Sequence, residues 1–430
     1  MEMVIVLVFI LIYFLTVLLS ATKFVPMSIA ALSGALLIAW FGLQYGVFSY
    51  EEAGEFIDMR LLGLIIGTMI VVEVAERSGL FRFSALYAVK LSKGNPSWLF
   101  VSMCITSAVV SMFLSDPTAM LLMAAATVTI SKLLNYDPIP YFLSAVIMIN
   151  LGGTSTLIGS VSNMIIGVET GLSFTAFISY LMIGEIALWF ITIFALYLLF
   201  KSRLGTKKEL PEYSPWESVK DKKLFFKSIL TLVLMVFLFF TLETFGIGPE
   251  AVALGCGILA LVLSNSDPAD IFKRLDWETI FFIAGFMFIV GGLQKTEFLS
   301  EVSVQIFQLA GNSPLTATLT TLWFTGIASA IVSNIAIALT FTPVITNFFS
   351  LNPHLPDFQP PVTSALILGT NLGGATTPLS GSVCIMAVGA LKREGISMSF
   401  SEFTKVGIIT SLLQLGFSSF YLIARFGLWG

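Results

Sequence analysis

The sequence predicts an all-α polytopic membrane protein made of two inverted repeats, with about ten crossing helices, two re-entrant hairpins and helices broken at the midplane. Three observations carry this expectation. The 430 residues are 57% hydrophobic and only 11% charged, with a mean hydropathy of +0.94, whereas soluble domains carry roughly 25% charged residues. Apolar windows of about 20 residues, the length needed to cross a bilayer core about 30 Å thick, recur from end to end. Short polar motifs of the first half return in the second half at nearly one offset.

Uninterrupted apolar stretches place spanning helices near residues 3–22, 24–43, 60–76, 174–200, 224–245, 249–264, 278–294 and 403–426. The first has no basic n-region and no small-residue cleavage site, so it reads as a retained helix rather than a signal peptide. Four other apolar stretches are interrupted. The segment 97–134 breaks at Ser115, Asp116, Pro117 and Thr118, and 314–350 breaks at Ser333 and Asn334. The segment 140–172 contains NLGGTSTLIGS, Asn150 to Ser160, and 361–391 is broken between Asn371 and Ser382. Glycine and hydroxyl residues are weak helix formers, which makes their concentration inside apolar segments informative. Two amphipathic stretches, Ser78 to Lys93 and Thr296 to Gly311, come before the two hairpins at equivalent positions. The long polar linker from Lys201 to Lys223 divides the chain into an N-terminal repeat, 1–200, and a C-terminal repeat, 224–430.

Direct comparison of the halves supports that division. SAVVS at 107–111 returns as SAIVS at 329–333, and NLGGTST at 150–156 returns as NLGGATT at 371–377. Asp58 to Gly67 parallels Asp276 to Gly285, each an acidic start leading into an apolar helix. Two motif matches at almost the same offset mark an internal repeat.

Charge distribution then predicts orientation. If 97–134 and 314–350 are hairpins and the central linker is cytoplasmic, all but Arg60, Lys295 and Arg425 of the 22 Lys and Arg residues lie inside. The positive-inside rule favours this arrangement. It opens the first hairpin to the cytoplasm and the second to the exterior, which inverts the repeats and leaves the N-terminus outside. The expected location is the cell membrane.

Non-helical backbone persists at membrane depth only when buried in protein or lining a wet cavity. Matching breaks in inverted repeats therefore point to a central binding site. Half-helix N-termini offer N–H groups to an anion, while unwound carbonyls and hydroxyls ligate a cation such as Na+. The candidate substrate- and ion-binding residues are Ser115, Asp116, Thr118, Asn150, Gly152, Gly153, Thr154, Ser155, Thr156, Ser333, Asn334, Asn371, Gly373, Gly374, Thr376 and Thr377. The competing structural reading is that Gly-Gly and hydroxyl clusters serve tight helix packing; it leaves their recurrence unexplained.

Asp116 and Glu185 are the candidate coupling carboxylates, because intramembrane acids are costly unless paired, hydrated or ion-bound. A structural hydrogen bond competes with coupling at Glu185, and a helix cap competes at Asp116. Glu73 and Glu76 lie toward one end of their helix, where they can snorkel to the interface. The lone histidine, His354, sits in a short loop and offers no metal site. Cys104, Cys256 and Cys384 are too scattered for a disulfide framework or metal cluster and read as small buried hydrophobes.

FLSDPTAMLL followed by NLGGTSTLIGSVSN, and SAIVSNIAIALTFTPV followed by LGTNLGGATTPLSGSV, resemble the ArsB/NhaD permease group of the ion transporter superfamily. That group includes arsenite permeases, Na+/H+ antiporters and the melanosomal P protein, with citrate and sodium-coupled dicarboxylate carriers as more distant relatives. The resemblance covers nearly the whole chain and implies interfacial arms, a static scaffold and a unit that carries its site across the membrane in an elevator movement. It also implies that helices near 24–76 and 246–294 form the scaffold and a homodimer interface. The chain departs from the group at several points. Ser115 and Ser333 stand where the hairpin tips usually carry Asp. Gly159, Ser160, Val161, Ser162 and Asn163 replace a Gly-Asp-Pro-Pro-Asn motif, and Thr377, Pro378, Leu379 and Ser380 replace Thr-Leu-Ile-Gly.

The function expected from sequence is a secondary active transporter of a small anion, an arsenite-like oxyanion or a carboxylate, coupled to protons or sodium. Na+/H+ antiport is the alternative, favoured by Asp116 and opposed by the two serines at Asp positions. An ion channel would need a continuous pore, which discrete midplane breaks oppose. An intramembrane enzyme would need a base beside Ser115 and Asp116. No P-loop suggests nucleotide hydrolysis, no cofactor other than Na+ or H+ is expected, and no nucleic-acid partner is implied.

Overall fold

The computed structural model describes residues 2–22, 24–114, 116–209, 214–309, 313–352, 355–378, 380, 382–393, 396 and 398–429. Within them the chain is all-helical. The first ten helices are α1 (Glu2–Thr22), α2 (Met27–Gln44), α3 (Tyr50–Glu55), α4 (Met59–Arg77), α5 (Leu80–Ser92), α6 (Pro96–Ser111), α7 (Asp116–Leu134), α8 (Pro138–Thr154), α9 (Val161–Thr170) and α10 (Phe174–Phe200). The next ten are α11 (Lys222–Leu242), α12 (Pro249–Ser264), α13 (Pro268–Phe272), α14 (Trp277–Lys295), α15 (Phe298–Leu309), α16 (Pro314–Ser329), α17 (Asn334–Leu351), α18 (Gln359–Gly373), α19 (Ser382–Arg393) and α20 (Phe400–Phe426). The two series correspond element by element, with a very short helix in third place and a 27-residue helix closing each.

Side-chain caps and prolines set many boundaries. Asn95 accepts from the backbone N–H groups of Ser97 and Trp98 ahead of Pro96, and Asp137 accepts from Ile139 ahead of Pro138. Asp221 caps α11 and Ser399 caps α20. Each cap satisfies N–H groups that have no partner within the helix.

Among the described residues, seven helices are long and apolar enough to cross a membrane: α1, α2, α10, α11 with its short 3-10 extension, α14, α17 and α20. Six of the ten crossings that the sequence predicts, α1, α2, α10, α11, α14 and α20, are among these seven; the seventh, α17, lies in the segment 314–350 assigned from sequence to a re-entrant hairpin, and its 18 residues are long and apolar enough to cross. The other four predicted crossings fall short for physical reasons. Helix α4 carries Arg60, Glu73, Glu76 and Arg77, and α12 has only 16 residues. In the predicted spans 140–172 and 361–391 the chain forms two shorter helices each, α8 of 17 and α9 of 10 residues, and α18 of 15 and α19 of 12.

Two layers of contact organise the helices. Helices α2 and α14 pack together, as do α4 and α12, with α1 and α11 alongside. The second group joins α6 to α8, α16 to α18, α7 to α19, α9 to α17, and α10 to α20. Exchanging the first ten helices with the second ten maps each of these pairings onto another or onto itself. The groups meet where α9 touches α4 and α17 touches α14, while α5 and α15 contact both groups.

Close approach explains one repeated motif. A Cβ at Gly67 would strike the backbone of Ala253 and Leu254, and a Cβ at Gly285 would strike that of Ala31 and Leu32. Small residues let membrane helices meet backbone to backbone. At the molecule's centre, every residue of α8 from Pro140 to Thr154 and of α18 from Pro361 to Gly373 is buried. A helix that is apolar on all sides belongs in such a surrounded position.

Candidate ion-binding site

The ends of α8 and α18 meet at the middle of the second group. Asn150 Nδ2 donates to the Asn371 carbonyl at 2.6 Å. Asn371 Nδ2 donates to Asn163 Oδ1 at 2.7 Å and to the Ile367 carbonyl at 2.8 Å, and its Oδ1 accepts from Ser162 Oγ at 2.9 Å. Asn371 is thus committed to the protein on both sides of its amide. Asn150 Oδ1 lies beside Gly374, where a Cβ would sit 3.1 Å away, and accepts no hydrogen bond from a described residue.

The two breaks are fastened by equivalent side chains at Thr156 and Thr377 and by non-equivalent ones at Asn163 and Ser380. Thr156 Oγ1 donates to the Met112 carbonyl at 2.8 Å, and Thr377 Oγ1 to the Ala330 carbonyl at 3.2 Å, tying the breaks to the ends of α6 and α16. Asn163 Nδ2 donates to the carbonyls of Gly153, at 3.0 Å, and Thr156, at 2.7 Å. Ser380 Oγ reaches the corresponding carbonyls of Gly374, at 2.9 Å, and Thr377, at 2.7 Å. Ser155 reaches Glu185 on α10, and Thr376 reaches Ser411 on α20. Glu185 and Ser411 are each the twelfth residue of their helices. Gly152 and Gly373 meet the backbones of Ala108 and Gly326, so neither position has room for a side chain.

Two cavities lie at opposite ends of the seam between the helix groups. The first, about 90 Å³, is lined by Thr118, Gly159, Ser160 and Asn334 from one group and by Glu73, Glu76, Arg274 and Asp276 from the other. Two helix N-termini reach it: α9, preceded by Ser160, and α17, preceded by Ser333. Neither serine caps its helix with its side chain. Glu73 lies between Arg77 and Arg274, 3.6 Å from each. The second cavity, about 190 Å³, is lined by Glu55, Asp58, Glu169, Gln294 and the sides of α9, α14 and α17. Burial works to raise the Asp58 carboxyl, but bonds from Arg60, at 2.6 Å to its guanidinium, hold it below its ordinary value.

Of the described candidate substrate- and ion-binding residues, only Thr118 and Asn334 line the first cavity, where they meet Glu73 and Glu76. Asn150, Thr154, Ser155, Thr156 and Asn371 are buried, and Thr376 and Thr377 are partly buried. Their hydrogen bonds hold the breaks together. Gly153 and Gly374 contribute bonded carbonyls. Ser115 and His354 lie outside the described residues; Asp116 opens α7, but its side chain lies outside them as well. Ser160, Ser162 and Asn163 were missed as site residues, although the departure at 159–163 was visible. A polar run immediately before an apolar half-helix was the usable signal. Among the described residues, no group of three or more His, Cys, Asp or Glu side chains is placed to hold a metal.

The family model described as citrate transporter, CitMHS, matches residues 10–360. The chain belongs to this citrate transporter family. A 46 kDa membrane protein of Mycobacterium leprae is 28% identical over 96% of this chain and 97% of its own length. An uncharacterized transporter of Mycobacterium tuberculosis is 28% identical over 94% of this chain and 95% of its own. The human P protein is 26% identical over 87% of this chain and 54% of its own length. Among solved structures, the YdaH transporter of Alcanivorax borkumensis aligns with a TM-score of 0.63 at 16% identity, covering 90% of this chain and 89% of that one. MtrF of Neisseria gonorrhoeae, assigned to a class of antimetabolite efflux pumps, aligns with a TM-score of 0.59 at 14% identity, covering 99% and 94%. These two likenesses concern the fold alone. As a member of the citrate transporter family within the ion transporter superfamily, the chain is a multi-pass membrane transporter and not an enzyme.

Proposed function

We propose that this transporter is a secondary active carrier of a small anion, a carboxylate or an arsenite-like oxyanion, coupled to protons or sodium. The observation that carries the reading is the convergence of two helix N-termini without side-chain caps, at Ser160 and Ser333, on a cavity that also holds Thr118, Asn334 and Arg274. N–H groups at a helix start and the positive ends of helix dipoles stabilise an anion; at α17 the Ile335 N–H is already bonded to Asn334 Oδ1 at 3.0 Å, and Arg274, 3.6 Å from Glu73, supplies the basic group. The citrate transporter family supports a carboxylate in particular.

The two series of ten helices are inverted repeats, with the polar linker on the cytoplasmic side of the cell membrane. Helices α6/α7 and α16/α17 are the re-entrant hairpins. The group containing α8, α9, α18 and α19 carries the site, and the group built on α2, α4, α12 and α14 is the scaffold. A cavity at each end of their seam supports an elevator movement, in which the carrying group exposes the site to one cavity and then the other.

Na+/H+ antiport is the second reading, and one observation favours it. Carboxylates outnumber basic groups at both cavities: Glu73, Glu76 and Asp276 against Arg274 at the first, and Glu55, Asp58 and Glu169 at the second. Proteoliposomes tested with citrate, arsenite and Na+ under imposed pH and Na+ gradients separate the readings. Gradient-driven accumulation of an anion is the expected result. Sodium-dependent proton flux with no anion moving would replace it with antiport, and flux indifferent to any counter-ion would indicate a channel.

A further inference from the structure

Glu185 sits inside the carrying group, 1% exposed, on the face of α10 that meets the first break. Its Oε2 lies 3.3 Å from Ser155 Oγ, and its Oε1, also buried, has no hydrogen-bond partner. Ser155 Oγ additionally accepts from Trp189 Nε1 at 3.0 Å and lies 3.3 Å from the Leu151 carbonyl. One hydroxyl therefore has two acceptors within reach, Glu185 and Leu151, and a single proton to give.

Resting on the reading of this chain as an ion-coupled carrier, we infer that Glu185 binds the coupling proton and that its charge selects the direction of the Ser155 hydroxyl. With Glu185 ionised, Ser155 O–H donates to Oε2 while Trp189 donates to Ser155. When a proton arrives from solution, the new carboxyl O–H donates to Ser155 Oγ, which accepts from Trp189 and Glu185 through its two lone pairs. The Ser155 proton then turns to the Leu151 carbonyl in the last turn of α8. The step adds one proton to one carboxylate and makes or breaks no other covalent bond. Its effect is to change how the end of α8 is bonded, next to the Asn150–Asn371 contact.

The surroundings suit a proton better than a metal cation. An ionised carboxylate buried without a counter-charge is costly, and taking up a proton removes that cost. Helix α18 has no titratable side chain, α8 has Tyr141, held by the Pro96 and Leu204 carbonyls, and α6 has Cys104. On α20, Tyr421 donates to the Tyr180 carbonyl, Arg425 reaches the Ser179 carbonyl, and Glu402 and Lys405 lie near the opposite end. On α11, Lys222, Lys223 and Lys227 lie at its start, while Glu243 beyond its end bonds Thr175. Among the described residues no Lys, Arg or His forms an ion pair with Glu185. A sodium ion would need several open oxygens, yet Trp189 already occupies one lone pair of Ser155. The equivalent place in the second series is neutral: Thr376 bonds Ser411 at 2.8 Å, and Ser411 donates to the Leu372 carbonyl at 3.0 Å. Coupling is thus confined to one of two matching positions.

Infrared difference spectra of the purified full-length protein, taken between acidic and alkaline pH, test the carboxyl directly. A carboxylic-acid carbonyl band that titrates in the wild type and vanishes in Glu185→Gln is expected, and Ser155→Ala should shift its pH midpoint. An unchanged set of bands in Glu185→Gln overturns the proposal. In proteoliposomes with citrate and arsenite as probes, one proton per anion and a one-unit pH gradient give up to about tenfold accumulation. Glu185→Gln with an unaltered melting temperature should lose that response. Full retention of it, or loss of a sodium response instead, overturns proton binding at Glu185. If the wild type moves neither probe nor Na+, the transport reading fails, while the infrared comparison still decides the protonation site.

Discussion

Asn150 and Asn371 occupy the same place in two repeated motifs, and the side chain of the first donates to the main chain of the second at 2.6 Å. The relationship is not reciprocal. Asn371 instead spends its side chain on Asn163, Ile367 and Ser162. Two residues alike in sequence therefore differ in what their loss costs. Asn150→Leu should destabilise by about 1–2 kcal/mol, whereas Asn371→Leu strands buried groups on several partners and should cost roughly 3 kcal/mol or more. Thermal melting of the purified variants checks the order, and transport should fall in both. Equal melting temperatures would contradict the asymmetry.

The glycines at helix crossings give a second expectation. Gly67→Val and Gly285→Val should each force two backbones apart, at a cost of about 1–3 kcal/mol or more. Gly255→Ala is the control: it lies on an exposed face of α12 with nothing near its added carbon, so it should be neutral or slightly stabilising. Comparable losses at all three positions would remove the distinction.

Arg203 joins two distant helix starts. It donates to Asp137 Oδ2 at 2.7 Å and to Glu402 Oε1 at 2.7 Å, linking the beginnings of α8 and α20 through the end of the α10 segment. Because all three side chains are about one-third exposed, Arg203→Met should cost only about 1 kcal/mol, and high salt should shrink the difference. Lysine should restore little, since a single ammonium cannot reproduce the two-sided guanidinium fork. Chemical or thermal denaturation at low and high salt provides the measurement.

A pH effect follows from Glu52. Its bond to Lys295, 2.6 Å long, and its bond to the Ser49 backbone lower its carboxyl from 4.5 to about 2. A lowered carboxyl contributes stability above its ordinary value and loses it as the pH falls toward the folded-state value. Wild type and Lys295→Met should therefore differ at neutral pH and converge between about pH 4.5 and 2. The pair is solvent-exposed, so the difference should also weaken with salt. A gap that widens on acidification would refute the assignment.

Selectivity can be probed at Arg274. Replacing it with Gln removes the basic residue lining the first cavity, leaving Glu76 and Asp276 on the wall and Glu73 with Arg77 alone. Anion uptake from that side should show a KM roughly tenfold higher, about 1.4 kcal/mol of lost attraction. Side-specific uptake in oriented vesicles is the check. An unchanged KM would place the anion's path elsewhere.

Much of the helix plan was readable because apolar length and polar interruption are local properties. The ends of α10 and α12 coincide with the expected segments, and the recurrence of Asp58–Gly67 as Asp276–Gly285 has its reason in two helix crossings. The bonding inside the breaks was not readable. Nothing in NLGG distinguishes an asparagine that is fully bonded from one with an open oxygen; that depends on which residues from the other series arrive beside it. Glu185 and Ser411 were equally hard to match, because the connection before α20 is longer than that before α10 and shifts their spacing away from that of the NLGG motifs. Ser160 gained its place on the cavity wall from the start of α9, a boundary set by three-dimensional packing around the break.

Helix α9 has an electrical consequence. Val161 and Met164 line one cavity, while the next residue, Ile165, and Glu169 line the other. Ten residues of helix span only about 15 Å, half the thickness of a hydrocarbon core of about 30 Å. With the two cavities open to opposite faces, as proposed above, water entering them brings the conductive solutions close together on the two sides of this thin septum. The membrane voltage is then focused across it, so a charge crossing here takes up most of the roughly 2.3 kcal/mol available per 100 mV in a single short displacement.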